Sequence, residues 1–451
     1  MSDRGRTDEG LAIADRAVTM ALEAGATQAE ALVIRTRSAL TRFANNEIHQ
    51  NVAEDDTVVN LRVVDGQRVG VASANRHGDA DLARLAGSAA ATARLQGVQG
   101  DFESLPAPRA TPLVSGAFAE ATAEADPEVR AAAAAAVIAA AEALGVQAFG
   151  LAQTSSDEVS VVNSLGIRVS EPRSRAQVLT VMMGPGGGTG YAEQVAVDLG
   201  VIDAAAIGRE AAERTAAMRD PIDLPAGEYP VVLDSYAVVD FTDWLGYLGF
   251  SALAVQEQRS FYEPGKRVAS ALVSVSDDAA DRAGTPASFD YEGVPIQRVA
   301  LIEAGTCQGI VHDTQTASRA GTTSTGHGLP APNPWGPFPL HMNMAAGATS
   351  RDELIGGLER GLLVTRFHYT NVVHPKQIVI TGMTRDGLFL VEGGRIRGPV
   401  RNLRFTQSYL DALEGVEAVS AERIAVEGFL GTAVVPALRI ARFSFTGSTD
   451  H

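Results

Sequence analysis

The sequence predicts an α+β fold, with helices packed on an antiparallel sheet in the N-terminal part and a β-rich C-terminal part. Up to residue 221, capped helical segments are interspersed with segments in which apolar and polar residues alternate. Beyond it, strand patterns with glycine turns dominate. The stretch 220–230 is rich in Pro and Gly, as linkers between domains are. The 451 residues suffice for two cores, and we predict domains at 1–221 and 222–451.

Four helices are predicted in the N-terminal part. The first runs from Thr7, a suitable N-cap, to Gly25. Helical spacing places four of its apolar residues on one face: Leu11, Ala14, Val18 and Leu22. The others cover 79–95, 126–145 and 203–218. Each of these three begins at an Asp, and the helix at 126 has a proline in its first turn.

Strands are predicted between these helices and throughout the C-terminal part. Residues 31–74 alternate between apolar and polar and contain an Asp-Gly hairpin turn at 65–66. Further strands are predicted at 146–154, 159–162 and 167–169, with a turn at 163–166. Glycine spacing predicts hairpins at 301–309 and 390–398. Residues 317–339 are rich in Gly, Pro, Ser and Thr and predict a long irregular loop.

Composition excludes several functional classes. The formal net charge is −17, whereas a nucleic-acid binder needs a positive surface, so we expect no nucleic-acid partner. The sequence contains no run of 18 apolar residues, so no membrane span is predicted. The first eight residues lack the apolar segment of a signal peptide. The single cysteine, Cys307, excludes an internal disulfide. We therefore expect a cytoplasmic protein without membrane contact.

Two glycine-rich motifs have the spacing of catalytic loops but lack their context. Residues 305–309 match G-x-C-x-G, yet a strand pattern follows where a nucleophile elbow needs a helix. Residues 184–190 lack the Gly-Lys-Ser/Thr ending of a phosphate-binding loop. We predict a hairpin for the first motif and a flexible loop between strands for the second.

An ordered series of segments along nearly the whole chain resembles the TldD/PmbA (TldE) family of peptidases. The segments are TRFANNEIHQ at 41–50, DYEGVP at 290–295, LIEAG at 301–305, TGHG at 325–328, NMAAG at 343–347 and TRDGLFLVEGG at 384–394. Each segment alone is weakly diagnostic, whereas their order is specific. One departure is His327, which stands where the family's T-G-N-G pattern has Asn.

The resemblance implies a metal helix that this chain has lost. TldD-type subunits carry H-E-x-x-x-H, in which two imidazoles bind zinc and the carboxylate activates the metal-bound water. Ungapped alignment places this helix at residues 242–247. There Thr242 replaces the first His, Asp243 the Glu and Tyr247 the second His, and only Gly246 is retained. We therefore expect no zinc bound at this helix.

The third zinc ligand implied by the resemblance is also missing, because residues 427–446 contain no cysteine. The chain thus resembles the TldE (PmbA) type, which lacks these ligands and pairs with TldD in a shared peptidase. The resemblance implies no catalytic or metal-binding residue here and a zinc-carrying TldD-type partner. It also implies small or unfolded peptides as substrates, and a homodimer when the chain is alone.

Two readings of the former metal helix are open. In one, its apolar and aromatic residues make it a packing element. In the other, Asp243 and Tyr247 line a channel that presents an extended peptide to the partner's zinc. We predict that such a peptide contacts four residues through main-chain hydrogen bonds, which leave little trace in side chains. These residues are Thr325, Gly326, Gly328 and Asn343.

Two other functions compete with the subunit hypothesis. One is an independent hydrolase with a relocated metal site, whose candidate ligands are His312, His327, His341, His368 and His374. No two of them are spaced i, i+4, so no helix presents a two-histidine clip. The other is a homo-oligomeric protein that binds peptides without turnover. The altered metal helix disfavours the hydrolase.

Overall fold

The computed structural model describes residues 3–448, and its N-terminal half is an antiparallel sheet packed against helices. The six strands are β1 (Gln28–Ala44), β2 (Glu47–Asp65), β3 (Arg68–Ala74), β4 (Gln147–Asn163), β5 (Arg168–Met183) and β6 (Thr189–Ala196). Their order in the sheet is β3-β2-β1-β4-β5-β6. The helices are α1 (Asp3–Glu23), α2 (Asp79–Leu95), α3 (Glu120–Ala123), α4 (Pro127–Ala143) and α5 (Ala204–Ala217).

The two faces of this sheet pack against different parts of the chain. Successive side chains of a strand point to opposite faces, so Val33 of β1 packs with α1 and α2. Its neighbour Leu32 packs on the other face with Phe289 from the C-terminal half. The sheet is thereby covered on both sides.

Three of the four helix predictions are confirmed. Helix α2 has the predicted bounds. Helices α4 and α5 begin after Asp126 and Asp203, whose carboxylates accept backbone N–H bonds of 3.0 and 2.8 Å. The first helix was predicted to begin too late. It starts at Asp3, four residues before the predicted cap at Thr7. On its buried face Ala21 takes the place predicted for Leu22, which is 41% exposed.

The strands predicted at 146–154 and 159–162 are one strand, β4, so this prediction was wrong. The polar residues between them stay in the sheet because side chains of β1 form a hydrogen bond and an ion pair with them. Asp157 accepts a 2.6 Å hydrogen bond from Thr36, and Glu158 forms a 2.9 Å ion pair with Arg35. The predicted strand at 167–169 is the beginning of the longer β5.

The C-terminal half is built on a large mixed sheet. Its strands are β7 (Gly227–Leu233), β8 (Val275–Asp277), β9 (Val299–Glu303), β10 (Thr306–Cys307), β11 (Met342–Met344), β12 (Arg360–His374), β13 (Val379–Glu392), β14 (Arg395–Pro399), β15 (Leu403–Ser408), β16 (Val416–Glu427) and β17 (Thr432–Ser448). The helices are α6 (Ser235–Leu248), α7 (Ala252–Gln256), α8 (Thr314–Arg319), α9 (Arg351–Gly356) and α10 (Tyr409–Glu414). The α+β fold class is confirmed.

Five strands of this sheet close into a ring. β7 pairs with both β12 and β17, and the path β12-β13-β15-β17 completes the circle. Phe367, Phe405 and Phe443 come from three of these strands and meet with ring centroids 4.6 to 5.4 Å apart. Helix α6 packs on this aromatic core through Phe241, which stacks on Tyr409 at 3.9 Å.

The hairpin predicted for the first glycine motif is confirmed, as is the position of the second between two strands, whereas the flexibility of the second stays a prediction. β9 and β10 form a hairpin with Ala304 and Gly305 at φ 45° and 81°, and Cys307 is buried in its second strand. Residues 184–188 connect β5 to β6. β13 and β14 form the hairpin predicted at 390–398. The long loop predicted from 317 begins within α8 and is irregular from 320 to 341. In the described chain, no helix is long and apolar enough to cross a membrane.

A buried arginine joins the two halves of the molecule. Arg62 on β2 contacts Glu30 on β1 at 2.7 Å and Glu292 from the C-terminal half at 3.0 Å. Burial raises the pKa of Glu30 to about 7 in spite of the opposing effect of Arg62. Both carboxylates therefore depend on this single guanidinium for charge compensation.

We predict that Arg62→Met lowers the free energy of unfolding by about 3–5 kcal/mol, because it leaves two buried carboxylates without their cation. Urea-induced unfolding measures the change. The matched control is Arg37→Met on the same sheet, whose ion pair with Asp55 is more than half exposed and should contribute less than about 1 kcal/mol. Equal effects of the two substitutions would contradict this account of the junction.

Candidate functional site

The residues predicted to form a former metal helix do lie on one helix. α6 is buried around most of its circumference, and positions 242–247 form its C-terminal half. At its N-terminal end, Arg351 and Arg214 both bind the carboxylate of Asp234, the residue before the helix, at 2.6–3.0 Å. These contacts fix the start of α6 against α5 and α9.

Thr242 is completely buried. Its hydroxyl donates a 2.8 Å hydrogen bond to the carbonyl oxygen of Val239 on the preceding turn of the same helix. The side chain is therefore used within α6.

Asp243 ties α6 to the turn between β16 and β17. Its Oδ2 accepts a 2.8 Å bond from the backbone N–H of Phe429, and its Oδ1 accepts a 3.4 Å bond from that of Leu430. A Cβ atom added to Gly428 would lie only 2.3 Å from Oδ2, so the turn needs glycine here. Burial raises the pKa of Asp243 to about 8.

A second carboxylate, one turn earlier, was not singled out by sequence reasoning. Asp240 accepts a 2.8 Å bond from the hydroxyl of Thr370 and a short one from Tyr409. Trp244 donates its indole N–H to the same Thr370 at 3.2 Å. Burial raises the pKa of Asp240 to about 6. The available signal was an Asp three residues before Asp243 on an otherwise apolar helix.

Tyr247 belongs to an aromatic cluster that reaches the surface. Its ring centroid lies 5.5 Å from that of Phe338, 6.2 Å from Trp335 and 6.1 Å from Phe429. Trp335 and Phe429 are 56% and 55% exposed. This geometry supports the packing reading of the helix, while the exposed rings could also form part of a channel wall.

Gly246 lies under the same cluster. A Cβ there would meet Leu430 at 2.9 Å and Pro339 at 3.1 Å. The retained glycine thus allows the turn after β16 and the loop 335–339 to approach α6 closely.

The four predicted peptide-contact residues lie elsewhere and use many of their polar groups within the protein. The hydroxyl of Thr325 bonds to the backbone of His312, and the backbone N–H of Gly326 bonds to Ser324. The N–H of Gly328 donates to Asp290 at 2.7 Å. The side-chain amide of Asn343 donates to two carbonyls, while its buried oxygen has no partner. Their contact with a peptide stays a prediction.

A histidine–aspartate chain connects these residues. Thr325 bonds to Nδ1 of His327 at 2.9 Å, and Nε2 of His327 bonds to the fully buried Asp277 at 3.0 Å. The other oxygen of Asp277 accepts the backbone N–H of His341, whose carbonyl accepts from Asn343. Burial alone would raise the pKa of Asp277, but its contacts with His327 and His341 hold this pKa well below its usual range. The loop and Asn343 are thus parts of one network.

The five histidines proposed for a relocated metal site are only partly brought together. His327 and His341 both approach Asp277, and His312 lies near His327. His368 and His374 are both on β12, separated by a bulge at Tyr369. Among the described side chains, which are those of residues 9–448, no group of three or more His, Cys, Asp or Glu is arranged to hold a metal ion.

The residues at the former metal-helix positions do not fit a zinc ion. The hydroxyl of Thr242 is committed to a carbonyl, the oxygens of Asp243 accept backbone amides, and Tyr247 is part of the aromatic cluster. None of the three supplies the imidazole nitrogens that such a zinc site uses.

Comparison with known families identifies the chain. Models of the PmbA/TldA metallopeptidases match as domain 1 at residues 29–93, as the central domain at 100–219 and as the C-terminal domain at 226–447. The chain belongs to the PmbA/TldD metallopeptidase family. The resemblance deduced from the short segments is confirmed. Our division into two domains at residue 221 stays a prediction.

Curated members of the PmbA/TldD family align with about half of the chain. The metalloprotease TldD homolog of Haemophilus influenzae is 27% identical over 236 residues, which are 49% of this chain and 46% of that protein. A metalloprotease of Methanothermobacter thermautotrophicus is 25% identical over 232 residues, 50% of each protein. The chain thus spans about half the length of the curated relatives that it matches.

Two solved structures have the same fold along nearly the whole chain. TldE from Thermococcus kodakarensis superimposes with a TM-score of 0.87 at 21% identity, covering 96% of this chain and 99% of that one. A Thermotoga maritima protein described as a modulator of DNA gyrase superimposes with a TM-score of 0.85 at 18% identity, covering 96% and 99%. At these identities the likeness establishes the fold.

The raised pKa of Asp243 predicts a measurable pH dependence. An unfolded Asp titrates near pH 4, whereas Asp243 in the folded protein titrates at about 8. Between these values the folded state binds more protons, so this group's contribution to stability falls as the pH rises. In the Asp243→Asn variant this side chain cannot ionise. The Tm of the variant should therefore decrease less between about pH 5 and pH 8.5 than the Tm of the unmodified protein.

Differential scanning fluorimetry at both pH values tests this prediction. The control is Asp126→Asn, an exposed helix cap for which Asn is an equivalent residue. It should leave the difference between the two Tm values unchanged. An equal pH dependence of Asp243→Asn and the unmodified protein would show that Asp243 is ionised throughout this range.

Proposed function

We propose that this chain is a TldE (PmbA)-type subunit that pairs with a TldD-type metallopeptidase subunit and acts with it on small or unfolded peptides. In this proposal the partner supplies the zinc, and this chain carries no catalytic or metal-binding residue. The observation that carries it is the hydrogen bonding of Asp243 to the turn at 428–430. At the helix position that aligns with the Glu of H-E-x-x-x-H, this chain has an Asp whose carboxyl group is hydrogen-bonded within the protein.

Family membership and the relatives support the proposal. Curated relatives are named metalloproteases, and a structural relative that covers almost the whole chain is named TldE. In the complex, this chain would form part of the wall of a substrate chamber. The exposed rings of Trp335 and Phe429 beside α6 are suited to contact apolar peptide side chains. A cytoplasmic location remains part of the proposal.

A homo-oligomeric peptide-binding protein is the second candidate. The same exposed aromatic rings favour it, because they need no partner of another type to contact a peptide. An independent hydrolase has less support. His327 and His341 already share Asp277 within the protein, and His368 and His374 lie on a different strand.

The prediction that decides among them concerns metal content and activity. We expect the purified chain to contain no stoichiometric zinc and to leave an unfolded substrate, fluorescein-labelled casein, uncleaved. After co-expression with a TldD-type protein we expect a complex that contains zinc and cleaves casein. Elemental analysis and the cleavage assay measure both properties.

A matched pair of variants sharpens the test. Asp243→Asn in this chain should leave the zinc content of the complex unchanged, whereas replacing the zinc-binding histidines of the partner should abolish zinc and activity together. One zinc per isolated chain would overturn the proposal and favour the independent hydrolase. Failure of two folded proteins to associate, with peptide binding by this chain alone, would favour the homo-oligomer.

A further inference from the structure

A large cavity of the described chain lies away from the former metal-helix positions, between the two halves of the molecule. It is a cleft of about 730 Å³, which is within the range of ligand-binding pockets. One wall is formed by β6, the start of α5 and the connection between them, and the other by β16 and the region of Arg282. A cleft of this size at such a junction is a common place for a ligand to bind.

The wall formed by β16 has an open strand edge. Residues 423–427 pair with 436–432 of β17 without a register shift, and the following turn contains a 2.9 Å bond from the N–H of Gly428 to the carbonyl of Gly431. In an antiparallel pair, hydrogen bonds to the neighbour alternate with groups that point away. Glu427 follows this rule, because its N–H turns away from β17 and donates to Glu193.

The same alternation turns the main-chain groups of Arg423 and Ala425 away from β17. Both residues line the cleft. Apart from one parallel bridge between Ser420 and Thr349, β16 pairs only with β17 in the described sheet, so its edge at 423–425 carries no strand. The N–H and carbonyl groups of these two residues can therefore form hydrogen bonds with an additional extended chain, as an edge strand does in strand addition.

The opposite wall offers less main chain for pairing. The backbone N–H and C=O of Glu193 on β6 bond to the hydroxyl of Tyr236. The carbonyl of Tyr191 accepts a 2.8 Å bond from Arg214. An added strand therefore has its hydrogen-bonding partners on β16.

The charges of the cleft indicate which side chains a bound strand would carry. Arg214 and Arg351 are both paired with Asp234. Among the side chains that the structure describes, those of residues 9–448, no ion pair involves three exposed carboxylates of the cleft, which are Asp198, Asp203 and Glu422. Arg282 is the one lining arginine of the described chain without an ion pair. The uncompensated charge is therefore negative, and it is complementary to basic side chains.

We propose that the cleft between β6 and β16 binds an extended peptide with basic side chains, which adds as a strand to the edge of β16 at residues 423–425. The peptide is held by main-chain hydrogen bonds to Arg423 and Ala425, and the carboxylates of the walls attract its basic residues. The inference rests on the proposed function for its substrate class, but the site is formed by this chain alone.

The first test uses the unmodified protein, so it does not depend on a variant that folds. The probe is the fluorescein-labelled pentapeptide Arg-Val-Arg-Val-Arg, and fluorescence anisotropy measures its binding. Two forms carry N-methyl groups on alternate residues, one on the even and one on the odd positions. Only one set of amides can face β16. One form should therefore bind at least about tenfold more weakly, and the other should bind like the parent peptide.

A pair of variants then locates the site. Ala425→Pro removes the N–H that faces the cleft but no bond to β17, a change that edge strands tolerate. This variant should bind the peptide about threefold to tenfold more weakly than the unmodified protein does. Ala425→Gly keeps this N–H and should bind the peptide like the unmodified protein. Thermal unfolding checks that both variants are folded, and Glu-Val-Glu-Val-Glu should bind more weakly than the basic peptide.

Three results would overturn the inference: no binding of the basic peptide at millimolar concentration, equal binding of both methylated forms, or binding that Trp335→Ala abolishes and Ala425→Pro leaves unchanged. The last result would place the peptide at the aromatic cluster beside α6. None of them concerns association with a TldD-type partner. Co-purification of Ala425→Pro with that partner therefore tests the proposed function separately.

Discussion

The position of α6 depends on two buried carboxylates one helical turn apart. Asp240 reaches β12 and α10 through the hydroxyls of Thr370 and Tyr409, and Asp243 reaches the turn after β16. A hydrogen bond to a carboxyl group contributes about 0.5–1.5 kcal/mol when the group is neutral and about 1.5–3 kcal/mol when it is ionised. These bonds join segments that are 130 to 186 residues apart in the sequence. The aromatic cluster and the start of the cleft are both arranged around the helix that these bonds fix.

This arrangement shows how such a helix can be held in place without metal ligands. In a TldD-type protein, as the resemblance implies, zinc would join the helix to a cysteine in the C-terminal part. In this chain the carboxylate of Asp243 makes a connection to the C-terminal turn at 428–430. A structural link of this kind needs no deprotonated thiol or imidazole. The packing of α6 is therefore independent of metal supply.

Local signals in the sequence predicted a large part of the N-terminal half. The two ends of helix α2 could be predicted because polar and turn-forming residues flank a regular apolar pattern. The continuous β4 could not be predicted, because its polar centre becomes favourable only when Arg35 and Thr36 lie beside it. Asp243 could be placed on a helix from the family motif. Its partners Phe429 and Leu430 depend on the closure of the strand ring, for which no local pattern exists.

The same reasoning applies to His327. The short segment around it identified the loop, and the departure from Asn was visible in the sequence. Its bond to Asp277 depends on how residues 320–341 fold back on β8. Long irregular loops carry no periodicity from which such contacts could be deduced. The contact of Thr325, Gly326, Gly328 and Asn343 with a peptide stays a prediction, and the histidine–aspartate chain that connects their segments could not be deduced from the sequence.

The close approach of Gly428 to Asp243 has an evolutionary consequence. A Glu at position 243 would be one methylene longer and would have to fit against a turn that leaves no space even for a Cβ atom at Gly428. Replacing Asp243 by Glu would therefore strain the existing link to the turn unless residues 428–430 changed as well. Helix and turn fit each other closely, and each restricts the substitutions that the other accepts. A substitution in one of these two distant segments is therefore expected to need a compensating substitution in the other.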